Sequence, residues 1–193
     1  MPRVNGALHS MACTRESNRT NQAKQPSPSI ERTAAMKSSI EPIVCNAEVE
    51  ARLSGSGLPV SDMGEHSVHL FGARQNGKII GVVGLEVYAT VGLLRSLAVA
   101  TAFREDGYGR ALVTHAEIRA SQLGGKELYL LTTTAAGFFA RLGYEVVSRS
   151  DAPKDIAQTT QFARLCPSSS AFMRKKLAAG NAHSRRRADF EGP

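Results

Sequence analysis

From about residue 40 to residue 177 the chain is a succession of short apolar runs separated by Gly, Pro, Asn and Ser. The run at 42–45 predicts a short first strand, and 47–53 predicts a helix closed by Ser54-Gly-Ser-Gly57. Residues 68–74 and 78–88 read as two strands, and the Asn76-Gly77 pair between them signals a tight hairpin of type I′. A turn then leads into the apolar strand Leu93–Val99. Over 109–123 the apolar residues Leu112, Val113, Ala116, Ile118 and Ala120 fit a helix that stops at Gly124-Gly125. A buried strand at 127–132, a short helix ending at Leu142-Gly143, a strand at 144–148, a helix at 155–165 and a last edge strand at 171–177 complete the order. An antiparallel meander followed by strand–helix–strand crossovers predicts an α+β fold, a mostly antiparallel mixed sheet with helices on both faces.

The flanks differ. Residues 1–35 are rich in Ser, Asn, Thr, Gln and Pro and lack either period, so they are expected to be a disordered extension; 180–193 read as a second polar tail. The expected domain is therefore 36–179, with either Met1 or Met36 as the native start.

Composition narrows the function classes. At 193 residues the chain fits one domain with a core of its own. No apolar run reaches the length of a membrane span, and no secretory core is seen, so a cytoplasmic protein is expected. Three widely spaced cysteines, Cys13, Cys45 and Cys166, suggest neither a disulfide frame nor a zinc site, and no metal is expected. The net charge of +7 is spread out: five basic against two acidic residues in 1–35, three against two in 180–193, and sixteen against thirteen between. Without a basic stripe interleaved with aromatics the nucleic-acid signal is weak, and a modestly positive domain suits anionic small molecules as well as it suits RNA.

Chemistry concentrates at Arg104-Glu-Asp-Gly-Tyr-Gly-Arg110, which follows a strand and opens a helix. A helix N-terminus presents backbone N–H groups and a positive dipole end, and Gly107 and Gly109 let an anion approach the backbone closely. The P-loop pattern is absent, and Leu112 stands where a dinucleotide fingerprint needs its third glycine.

The R-x-x-G-x-G spacing at 104–109 resembles the acyl-CoA pyrophosphate loop of the GNAT N-acetyltransferases. The segment Ala135-Ala-Gly-Phe-Phe-Ala-Arg-Leu-Gly-Tyr144 is similar to their A-x-x-F-Y-x-x-x-G-F/Y signature, and the element order is that of the same fold. Gly92–Val99, Leu128–Thr134, Phe138–Tyr144 and Phe162–Pro167 further resemble a GNAT subgroup named for its place in arsenic-resistance operons. The resemblance implies an acetyl-CoA-dependent N-acetyltransferase acting by direct attack on a small-molecule amine, with arsenicals or toxic amino acids as candidate acceptors. It implies monomers or homodimers and no nucleic-acid or membrane partner.

By the same resemblance the backbone of Leu97, Ala98 and Val99 holds the pantetheine arm. Arg104, Glu105, Asp106, Gly107, Tyr108, Gly109 and Arg110 hold the pyrophosphate, and Phe138 and Phe139 line the thioester slot. Many relatives carry a general-acid tyrosine where this chain has Phe139, which leaves the proton route open. Glu86, two residues before Tyr88 near a strand end, and Tyr129 are the catalytic candidates. Arg95, two residues before Leu97, is expected on the same strand face. A cation on an apolar strand needs an anion: either an internal salt bridge, for instance to Glu86, or a substrate carboxylate or oxyanion. Cys166 reads as a small buried thiol beside a proline turn. A non-catalytic acyl-CoA-binding sensor is the alternative function, favoured by Phe139 and the unassigned base.

Overall fold

The computed structural model describes residues 39–63 and 68–178. The segments expected to be disordered, 1–35 and 180–193, lie outside these residues, as do Cys13 and Met36. The elements are β1 (Ile40–Ile43), α1 (Ala47–Ser54), β2 (His69–Gln75), β3 (Lys78–Tyr88), β4 (Val91–Val99), α2 (Tyr108–Gln122), β5 (Glu127–Thr132), α3 (Ala136–Ala140), β6 (Glu145–Val146), α4 (Lys154–Ala157) and β7 (Ala171–Lys176).

Local chemistry explains the boundaries. Asn46 caps α1 by accepting from the Val49 N–H at 3.0 Å, and Glu48 and Glu50 sit in the first turn, where the helix dipole favours them. Asn76 and Gly77 both take positive φ, 50° and 79°, which matches the twist of the β2–β3 hairpin.

A seven-stranded sheet in the order β1-β2-β3-β4-β5-β7-β6 organises the fold. Only β4 and β5 run parallel, as expected of a mostly antiparallel mixed sheet. The largest core lies on one face, where Leu112, Val113 and Ala116 of α2 and Phe139 of α3 meet Phe71, Val83, Leu85, Leu94 and Leu130. The opposite face carries two smaller clusters, one around Val49 and Leu53 of α1 and one joining Leu93, Tyr129, Ile156 and Phe172.

The structure corrects several expected elements. The last strand is not an edge: β7 inserts between β5 and β6, with Phe172 and Met173 packed into cores on opposite faces. The two-residue β6 takes the edge. The first strand is shifted to 40–43, with Pro42 tolerated because β1 is an edge strand. The expected helix over 155–165 breaks in two. The Thr159 hydroxyl donates to Ile156 O at 2.8 Å and accepts from the Phe162 N–H at 3.2 Å, competing with the helical ladder. A π-helical turn, Gln161–Leu165, follows.

Gly92 sets the spacing of the middle strands. A Cβ there would stand 2.9 Å from Leu128 Cδ1 and 3.1 Å from Glu86 O. Gly92→Ala is expected to destabilise the fold by about 1–3 kcal/mol through overpacking, measured by urea denaturation.

Candidate active site

β4 and β5 pair only from Val91 to Leu94 against Glu127 to Leu130. Beyond that point the strands part, and a cleft of about 690 Å³ opens between them. Leu97, Ala98 and Val99 form one wall, Leu131 and Thr132 the other, and Phe139 closes one side. Arg104 stands at the cleft, as do Gln161, Cys166 and Ser170.

β4 is bulged. Val82 pairs with Ala98 and Gly84 with Arg95, so Ser96 and Leu97 together oppose Val83. Ser96 takes φ 56°, a left-handed conformation uncommon outside glycine. The extra residue reverses the inward–outward alternation. Leu94 lies in the α2-side core, and beyond the bulge Leu97 and Val99 pack against that same core. Arg95 therefore does not share a face with Leu97, contrary to simple alternation: its side chain turns the other way, to Asp62 and Glu86.

There Arg95 is the hub of a buried network. Its Nη1 donates to Glu86 Oε1 at 2.7 Å and its Nη2 to Asp62 Oδ1 at 2.5 Å, and all three side chains are no more than 3% exposed. The Tyr88 hydroxyl donates to the other oxygen of Glu86. Gln161 Nε2 donates to Asp62 Oδ2 at 3.0 Å, and the Cys166 thiol donates to Gln161 Oε1 at 3.5 Å. Burial pushes the Asp62 carboxyl upward, but the hydrogen bonds from Arg95 and Gln161 and the Arg95 charge outweigh it and hold the group below its ordinary range. Burial likewise lowers Arg95, and the two carboxylates more than restore it. Cys166 is raised, chiefly by burial, and is therefore a thiol rather than a thiolate at neutral pH.

The internal salt bridge to Glu86 is thus one of the two alternatives open for Arg95, and the structure contains it. Both terminal nitrogens are engaged by carboxylates, which leaves an anionic substrate group no unpaired charge to meet. Glu86 is buried behind Arg95 and bound by two donors. Tyr129 does not line the cleft. Its ring stacks on Phe172 at 5.3 Å on the α4 side, and its hydroxyl donates to Glu127 Oε2 at 2.8 Å. Burial is the first cause that raises the Tyr129 hydroxyl, with Glu127 adding to it.

The glycine loop lies beyond the end of β4. After a 3₁₀ turn over Thr101–Phe103, Gly107 takes φ 85° and α2 begins at Tyr108 with no side-chain cap. The N–H groups of Tyr108, Gly109 and Arg110 therefore have no intrahelical acceptor. Within the expected 104–110 cradle, the N–H groups of Arg104 and Asp106 are already turned to Thr101 O and Phe103 O, at 3.4 and 3.3 Å. Glu105 and Asp106 are exposed, whereas Tyr108 is buried edge-on to Phe103. Arg104 reaches back, its Nε donating to Val99 O at 3.3 Å. Phe138 does not line the cleft: it packs beneath the loop, 3.4 Å from where a Cβ on Gly109 would lie. Phe139 does line it.

Asp62, Gln161 and Ser170 escaped the sequence reading. Asp62 sits in an irregular segment after Pro59 that carries no periodic signal, and Gln161 falls where the expected helix breaks. Cys166 lies half-buried at the cleft rather than sealed in a core. His66 lies outside the described residues, His69 is exposed, and His115 packs edge-on to Phe71 at 4.8 Å. Among the described residues no group of three or more His, Cys, Asp or Glu could hold a metal ion, and no helix is long and apolar enough to cross a membrane.

Residues 66–146 match the acetyltransferase (GNAT) domain family. A GNAT-family acetyltransferase from Staphylococcus aureus superposes with a TM-score of 0.58 over 72% of this chain and 100% of its own, at 17% identity. This is the GNAT fold. N-acetylglutamate synthase from Neisseria gonorrhoeae, complexed with coenzyme A and N-acetyl-glutamate, shares the GNAT fold at a TM-score of 0.59 and 20% identity, over 74% of this chain and 36% of that one. In sequence, an uncharacterized N-acetyltransferase from Chlorobaculum tepidum is 39% identical over 99 residues, 50% of this chain and 63% of that protein.

Two outcomes test the network. Arg95→Met leaves two carboxylates buried without their cation and is expected to cost about 3–5 kcal/mol in urea denaturation. Because the folded Asp62 value is depressed, its stabilisation is present above about pH 3.9 and is lost as pH falls through the folded value. Asp62→Asn should flatten that acid limb in a stability–pH series.

Proposed function

We propose that the protein is an acetyl-CoA-dependent N-acetyltransferase acting on the amine of a small molecule. The observation that carries this reading is the cleft itself: a strand edge at Leu97–Val99 that β5 leaves unpaired, running towards the bare N-terminus of α2. Such an edge suits the amide-bearing pantetheine arm, which can pair with it as an added strand. The N–H groups of Tyr108, Gly109 and Arg110 suit the pyrophosphate, with Arg104 as a charge-assisted partner. The likeness to a synthase solved with coenzyme A supports the same donor.

On this reading the neutral amine attacks the thioester carbonyl directly. The bulged backbone at Ser96–Leu97 would aim an N–H at the developing oxyanion, and the bond to sulfur breaks as the amine nitrogen gives up its proton to a water molecule in the cleft. Phe139 has no proton to donate, so the thiolate leaves unaided or takes its proton from water. Motifs resembling the arsenic-resistance subgroup make arsenicals and toxic amino acids worth including among the acceptors screened. A second reading, an acyl-CoA-binding protein without turnover, is favoured by Phe139 and by the unassigned base, since neither Glu86 nor Tyr129 lines the cleft.

Incubation with acetyl-CoA and an amine panel should release free thiol in step with acetylated amine. Binding of coenzyme A with no release across the panel would favour the second reading. Gly107→Ala, which places a Cβ at φ 85°, should raise the KM for acetyl-CoA about tenfold, the scale of left-handed strain.

A further inference from the structure

The open edge of β4 is already engaged. The Ala100 N–H donates to Ile80 O at 2.8 Å, and Gly81 faces Val99 in the β3–β4 register. In an antiparallel ladder, successive residues turn their backbone groups to opposite sides of the strand. Ala100 turns towards β3, so Val99 turns its N–H and C=O the other way, into the cleft left where β5 stops pairing at Leu94. The Val99 carbonyl is thus one of the groups with which an added strand would pair. Arg104 holds it, reaching five residues back so that its Nε donates to Val99 O at 3.3 Å. The 3₁₀ turn over Thr101–Phe103 returns the chain for this contact, and within 101–110 Arg104 is the residue that lines the cleft. Its guanidinium stands at the junction of the strand edge and the glycine loop. The bond is exposed, so water competes with it and its net strength is modest. A phosphate oxygen is a stronger acceptor than a carbonyl, because both partners are then charged. Glu105 and Asp106 match Arg104 and Arg110 in number on this loop, so an anion there gains most when Arg104 turns towards it.

We propose that Arg104 is a latch on the strand edge and a specificity-determining residue for the donor: it blocks the Val99 carbonyl until a pyrophosphate draws the guanidinium away. The inference rests on the acyl-CoA reading of the cleft and adds to it a dependence between the two halves of the donor. The pantetheine arm competes with Arg104 for Val99 O. The pyrophosphate gives the same side chain a better acceptor and frees that oxygen for an amide N–H of the arm. Each half therefore assists the other, since both favour the state in which Arg104 has left the edge. A thioester on an arm without a pyrophosphate must displace the guanidinium unaided, so the site favours coenzyme A thioesters over pantetheine thioesters.

The test uses the full-length protein and the two halves of the donor as separate ligands, pantetheine and ADP, with affinities read by amide NMR titration. In the wild type, saturating ADP should tighten pantetheine binding about fivefold, the scale of one exposed hydrogen bond from a charged donor, and pantetheine should tighten ADP binding by the same factor. Arg104→Ala should bind pantetheine alone about fivefold more tightly than the wild type, bind ADP more weakly, and show no coupling between the two. A gain of affinity on truncating a side chain is an outcome that the loss of a merely structural contact does not produce. Coenzyme A titrated alongside separates this inference from the reading beneath it. If coenzyme A binds while pantetheine is indifferent to ADP or to Arg104→Ala, the latch is overturned and the acyl-CoA reading stands. If coenzyme A does not bind, the acyl-CoA reading is overturned and the latch falls with it.

Discussion

The ion pairs of Arg95 are the constraint around which the site is arranged. A guanidinium in the middle of a sheet is tolerable only when its charge and its N–H groups are met. Here they are met by a carboxylate from the neighbouring strand, Glu86, and by one from the loop before β2, Asp62. The same hub reaches Ser96, the bulged residue, through an Nε–Oγ contact at 3.4 Å. Thus the sheet, the 58–63 segment and the π-helical turn are tied at one point, and that point borders the cleft.

The bulge gives the two ends of β4 different tasks. Up to Leu94 the strand is an ordinary sheet member, pairing with β5 and filling both cores. After Ser96 it pairs with β3 alone and offers its other edge to the cleft. A regular strand would have carried Leu97 to the face of Arg95 and put a leucine among the carboxylates. One added residue keeps the charged cluster on one face and the apolar packing on the other.

Much of the fold was legible because it depends on local signals. Strand β3 and strand β5 fall on the residues their apolar runs indicate, and the Asn76-Gly77 hairpin takes the two positive φ values that such a pair favours. The glycine loop was legible for the same reason, since a strand, a turn and a helix start are all local. Non-local features were not. Nothing in residues 171–176 says that the strand slips between two earlier ones, and period two cannot reveal the bulge that reverses it. Of the network partners of Arg95, Glu86, 9 residues away, was already one of the alternatives named from the sequence, whereas Asp62, 33 residues away, lies in a segment with no period at all. Charge bookkeeping could say that Arg95 needs an anion; only the tertiary structure says that it has two.

The late position of β7 bears on how the molecule comes into being. Until residues 171–176 leave the ribosome, β5 has one open flank and the two residues of β6 have nothing to pair with. The meander β1–β4 and helix α2 can assemble as they are made, whereas the second wall of the cleft waits for a segment synthesised some forty residues after β5. The second wall of the groove is therefore completed only once Ala171–Lys176 is in place, and a nascent chain stalled before Ala171 holds the glycine loop but not the finished groove.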